Sequence, residues 1–217
     1  NELHRIGEIA GQLGISGVDN ILKFEEVIAR MVASTDIAAD AAATAFGQIA
    51  SVTRTPIAQI DRVGSTIVAL GNAFEASESQ IVDFTQRIAG AGTVVGLTVP
   101  EILAIATAME SVGVETERGG TAVQKVLLAM QEAAVVGGEK LEIFAEVMGT
   151  SLEEFQRLVQ EEPGEAFVRF LDRLKAGGDT AAIALDALGL ADARLIGSFL
   201  QLASAGDKTR RAFELSN

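Results

Sequence analysis

The only histidine in the chain, His4, shares a helical face with Glu8, the i,i+4 spacing from which a metal site or a general base can begin. No second histidine and no cysteine exist to complete it, so the sequence offers half a site and no zinc centre. A serine–histidine nucleophile would depend on the same residue, and no Gly-x-Ser-x-Gly turn accompanies it. Carboxylates occur in pairs, Glu25-Glu26, Glu153-Glu154, Glu161-Glu162 and Glu115 with Glu117, the raw material of glycoside hydrolysis. Without Trp or Tyr to seat a sugar between them, they read as solvated helix faces. Residues 139–165 hold eight acids against Lys140 and Arg157, an acidic patch read as wet surface that a basic partner could meet. Gly119-Gly120-Thr121 could present free amides to an anion at a helix start. No sheet is predicted to frame such a site, and the plainer reading is that the glycines let two helices approach, with Thr121 as the cap. Gly7 with Gly11 and Gly92 with Gly96 are small residues four apart, read as compact packing. Lys208, Arg210 and Arg211 form the one basic cluster, read as a solvated helix end. No catalytic, cofactor-binding or metal residue is assigned.

The elements around these residues can be read from composition. Of 217 residues, 48% are hydrophobic and 22% charged, with 22 Gly and 3 Pro. A formal charge of -13 opposes binding to polyanions, so direct nucleic-acid contact is not expected. Mean hydropathy is high at +0.31, yet the longest charge-free stretches, Ala41 to Thr53 and Ile88 to Pro100, reach only 13 residues each. A spanning helix needs about 20. No basic and apolar leader opens the chain, and a start at Asn1 is what a piece of something longer presents.

Apolar residues recur every three or four positions, so the predicted class is all-α, with about ten to twelve short helices arranged as packed αα-hairpins. Ile21, Phe24, Val27, Ile28, Met31 and Val32 form one stripe; Leu141, Phe144, Ala145 and Met148 a second; Phe167, Phe170, Leu171 and Leu174 a third. Thr93 to Val95 and Val135 to Val136 are too short to compete as strands. Glycine is expected to stop helices, and caps to restart them: Ser16 with Asp19, Ser77 with Gln80, Thr98 with Glu101, Ser151 with Glu154, Thr55 before Pro56, and Pro163. A weak repeat links Ile9-Ala10-Gly11, Gly14-Ile15-Ser16 and Ile21-Leu22 to Ile88-Ala89-Gly90, Gly96-Leu97-Thr98 and Ile102-Leu103. Its echoes are Thr44 to Phe46 with Thr121 to Val123, Gly149-Thr150-Ser151, and Gly189-Leu190-Ala191-Asp192.

The run Ile60 to Asn72, then Ser77 to Gly96 with Ile88-Ala89-Gly90-Ala91-Gly92, Gly96-Leu97-Thr98, Ala106 to Gly113 and Glu117 to Ala122, resembles the core region of phage tail tape measure proteins. Gly71 to Ala122 carries the likeness most closely. The segments Glu139 to Glu146, Phe155, Phe167 to Leu174 and Ala187 to Leu190 are similar to the stretch C-terminal to that core in such proteins. Residues 1–55 match less distinctly and are expected to form N-terminal helical hairpins; 56–217 are expected to be a tape-measure core-like helical module, the two making one continuous fragment.

The resemblance implies a structural virion protein and not an enzyme, acting in tail tube assembly, tail length determination and genome ejection. It implies a homo-oligomer whose partners are tail tube, tail tip and tail assembly chaperone proteins. The implied location is the tail lumen or tip, and the host cytoplasm during assembly. Glycine punctuation opposes one extended helix, so this region reads as a folded module with the measuring region elsewhere. The expected contact residues are Gly90, Gly92, Gly96, Gly119 and Gly120. The alternative is a membrane-active helical module that inserts during genome delivery; a hydrolase is disfavoured by the missing nucleophile and metal sets.

Overall fold

A computed structural model of the chain describes residues 2–177, 179–190 and 196–216. Thirteen α-helices and no strand occur among the described residues: α1 (Glu2–Gln12), α2 (Val18–Ser34), α3 (Ala39–Thr53), α4 (Ile60–Ala73), α5 (Glu78–Val94), α6 (Val99–Ser111), α7 (Thr116–Val136), α8 (Glu139–Met148), α9 (Leu152–Glu161), α10 (Pro163–Gly177), α11 (Asp179–Ala187), α12 (Ile196–Ser204) and α13 (Gly206–Ser216). A 3-10 turn, Ile57–Gln59, precedes α4.

Five stops are built alike, whereas α2, α3, α4 and α9 end without glycine, at Thr35, Arg54, Phe74 and Glu162. At Gly96 the backbone turns left-handed (φ 88°), a conformation glycine adopts without penalty, and the following Leu97 N–H returns to the Gly92 carbonyl at 2.9 Å. Gly14, Gly113, Gly149 and Gly189 end α1, α6, α8 and α11 with the same closure. After Gly14, Gly96, Gly113 and Gly189 the next residue is buried and apolar: Ile15, Leu97, Val114 and Leu190. Each of these four stops therefore drives a side chain into the core while it reverses the chain. The echo after Gly189 continues into 191 and 192, outside the described residues.

The starts divide. Ser77 with Gln80 and Thr98 with Glu101 form complete capping boxes, Ser151 accepts the Glu154 N–H, and Pro163 opens α10. Ser16 does not cap: Gly17, at φ 90°, takes the position before α2, and Ser16 only lends its carbonyl to Asn20. Thr55 does not cap either; its hydroxyl pairs with Thr53 at 2.7 Å, and Pro56 leads into the 3-10 turn before α4. Thr121 is likewise no cap. Glu115 caps α7 through the Glu117 and Arg118 amides, both at 3.1 Å, which leaves Gly119 and Gly120 inside the helix.

Two apolar clusters result. The first joins α1 to α4 around Phe24, Ile28, Phe46, Ile60 and Ile67; the second joins α7 to α12 around Phe144, Phe155, Phe167 and Phe170. Phe144 stacks on Phe155 and tilts against Phe170, each at 5.4 Å, so α8, α9 and α10 cover one another's stripes. α5 and α6 belong to both clusters: Ile81, Val82, Leu103 and Ala104 face the first, Phe84, Ile88, Ile102 and Ile105 the second. α6 is buried on every side from Ile102 to Met109, as a helix apolar all round must be.

The basic cluster is not a solvated end. Lys208 Nζ donates to the Ser111 carbonyl at 2.7 Å, Arg210 pairs with Asp172 at 2.8 Å, and the Arg211 guanidinium lies 5.3 Å from the Phe74 ring centre. The helix that carries them packs along α6, so cations that look spare in sequence meet acceptors from distant segments.

Candidate functional site

Interhelical spacing around α5 is set by glycine. A Cβ on Gly92 would stand 2.8 Å from Ile102 Cγ1, so the α5–α6 hairpin leaves no room for that atom unless the Ile102 side chain shifts. On α7, a Cβ at Gly119 would run into Val114 and come 3.3 Å from the Phe84 ring, and one at Gly120 would run into the stem of Arg87. Gly92, Gly119 and Gly120 are thus drawn together as the points where α6 and α7 approach α5. Gly96 is the exposed turn, and Gly90 is exposed with nothing within 4 Å of a would-be Cβ. Gly90 lies on the outward stripe of α5 with Asp83, Arg87 and Val94, the last 68% exposed.

Polar contacts lock this spacing. Gln124 donates its side-chain amide to the Arg87 carbonyl, and Arg87 pairs with Glu117 at 3.4 Å. The start of α5 is held from outside: the Ser79 N–H donates to Asp36 Oδ1 at 3.1 Å, and the bonds from Ser79 hold the Asp36 carboxyl below its usual range. At the end of α6, burial pushes the Glu110 carboxyl up, against the 2.8 Å bond it accepts from the Thr116 hydroxyl; Asp83 and Glu115 add to the rise.

His4 lines an open depression with Arg5, Gly7, Glu8, Ile21 and Glu25. Among the described residues no three His, Cys, Asp or Glu side chains converge to hold a metal ion. At least one member of each acid pair makes a surface bond: Glu26 with Arg30, Glu161 with Arg157 at 3.1 Å, Glu154 with Arg169 at 3.9 Å, and Glu115 on its cap. Such exposed pairs are worth roughly 0 to 1 kcal/mol each. A groove of about 650 Å³ between α8, α10 and α11 is lined by Ile143, Val147, Leu174, Ile183 and alanines together with Arg173 and Glu146. Asp36, Lys208 and Arg210 were invisible as partners in sequence, because their contacts span 38 residues or more and obey no short motif.

No helix among the described residues is long and apolar enough to cross a membrane. The arrangement holds helices at fixed spacing and presents helix faces. The model of the family described as phage-related minor tail protein matches residues 2–156. No curated protein and no solved structure matches the chain. The chain belongs to the phage-related minor tail protein family, which gives it a structural role in the tail.

Proposed function

We propose that this minor tail family member is a helical module of a tape measure protein, acting in tail tube assembly, tail length determination and genome ejection. The observation that carries the reading is the ordered run from Gly71 to Ala122: it resembles that group, lies inside the matched residues 2–156, and folds as the capped hairpins α4 to α7. The module works by helix-face contacts, with copies of itself and with tail tube, tail tip and tail assembly chaperone proteins. Gly90 and Gly96 lie on its open contact face. Gly92, Gly119 and Gly120 hold the helices that present that face. Residues 1–55 and 56–217 act as one continuous fragment. Its role is architectural, without a cofactor, its place is the tail lumen or tip, and its charge of -13 opposes direct contact with the genome.

Electron microscopy and cross-linking of assembled tails test this. Tails whose length tracks an in-frame duplication of the region, with cross-links from the Gly90 face to tube or tip subunits, are expected. Unchanged tail length together with no tail cross-link overturns the reading. Dye release from liposomes by the purified chain alone overturns it in favour of insertion during genome delivery.

A further inference from the structure

The helix α13 touches both apolar clusters. Ala212 belongs to the first, and Phe213 packs against both. Its cations reach in three directions: Arg211 to Phe74 just after α4, Arg210 to Asp172 on α10, and Lys208 to the Ser111 carbonyl at the end of α6. A fourth contact, Lys175 to Asp207 at 3.2 Å, ties α10 to its first turn. We infer that α13 is a releasable clamp that couples the two clusters of this chain.

The clamp is close but shallow. Its buried residues are Gly206, Thr209, Ala212 and Ser216, small side chains that let its backbone lie against α6 yet remove little apolar surface from water. Phe213 is only part-buried and Leu215 is 47% exposed. By contrast α10 buries Phe167, Phe170 and Leu171 completely. Beside this close backbone packing on α6, the cation contacts fix the register of α13, and these are open to salt: the Arg210 and Asp172 side chains are 42% and 36% exposed. Opening α13 takes Ala212 and Phe213 from the clusters but none of the phenylalanines at their centres, and uncovers α6 beside Leu103 and Ala104, which cluster with Ala212. α13 also lies beyond the family-matched residues 2–156, so within the matched region α6 has one open side that this segment closes. That side fits a helix with small residues at the spacing of Gly206, Thr209 and Ala212 and cations beside them. The inference concerns the isolated chain and does not depend on the tape measure reading; failure of that reading shows in assembled tails, failure of this one in the purified protein.

Hydrogen exchange on the full chain tests it. Raising salt from low ionic strength to about 0.5 M is expected to speed exchange of α13 amides roughly tenfold while the amides of α6 and those around Phe144 and Phe155 keep their protection. The combined change K208Q, R210Q and R211Q is expected to do the same at low salt and to split denaturation into two steps. Exchanging the charges of one pair, R210D with D172R, is expected to restore protection relative to R210D alone. If α13 stays as protected as α7 at every salt concentration, or if all helices lose protection in equal proportion, the clamp is refuted. The salt series needs no substitution and decides the matter even where the triple variant fails to fold.

Discussion

The Asp36 carboxylate accepts the Ser79 backbone N–H at 3.1 Å, so the first turn of α5 is capped by a residue 43 positions earlier as well as by its own Ser77. The contact lowers the Asp36 pKa, its Ser79 hydroxyl partner being the largest cause. A carboxyl depressed in the folded state adds stability above its unfolded pKa, and this is lost as pH falls through the lower, folded value. Asp36→Ala is expected to cost about 1 kcal/mol at neutral pH, in the range of a lost cap. Urea titrations across pH should show that difference shrink and vanish in strong acid.

Glu110 has the opposite sign. Its pKa is raised, chiefly by burial, so its favourable contribution is complete below the unfolded carboxylate value and lost as pH rises through the folded one. Glu110→Gln keeps an acceptor for Thr116 without the charge, and is expected to be more stable than the parent at neutral pH and equal to it in acid. Thermal melts at neutral and acidic pH check this; a variant less stable at neutral pH contradicts it.

Two glycines on neighbouring helices should answer oppositely to the same change. Gly90→Ala fills open space on an exposed helix position and is expected to stabilise by up to about 1 kcal/mol. Gly119→Ala drives a methyl into Val114 and against Phe84, and is expected to destabilise by roughly 1 to 3 kcal/mol despite the same propensity gain. Denaturation midpoints of the two variants measure the difference.

Caps that look alike in sequence should also separate. Thr98→Ala removes one arm of a complete capping box, at an expected cost of about 1 kcal/mol. Ser16→Ala removes a hydroxyl that caps nothing, and is expected to change stability by less than about 0.5 kcal/mol. Equal losses from both would contradict the assignment of Gly17 as the residue before α2.

In the second cluster, Phe144→Ala removes a ring stacked on Phe155 and tilted on Phe170. The expected loss is about 3 to 5 kcal/mol, enough to lower the midpoint of the whole cluster. Circular dichroism in denaturant gives the value.

Local chemistry settled much of this protein from sequence alone. Helical periodicity predicts the stripes around Phe24, Phe144 and Phe170, and the Ser77, Thr98 and Ser151 caps are legible in residues three apart, because backbone bonding in a helix is a short-range matter. Where a glycine stands between stop and interior, sequence cannot decide: Gly96 ends α5 while Gly119 and Gly120 sit within α7, since only packing against Phe84, Val114 and Arg87 selects for the missing Cβ. The same holds for Asp36, Lys208, Arg210 and Arg211. Their charges are legible as composition, but a partner 38 or more residues away is chosen by how the helices cross, and that geometry exists only once both clusters have formed.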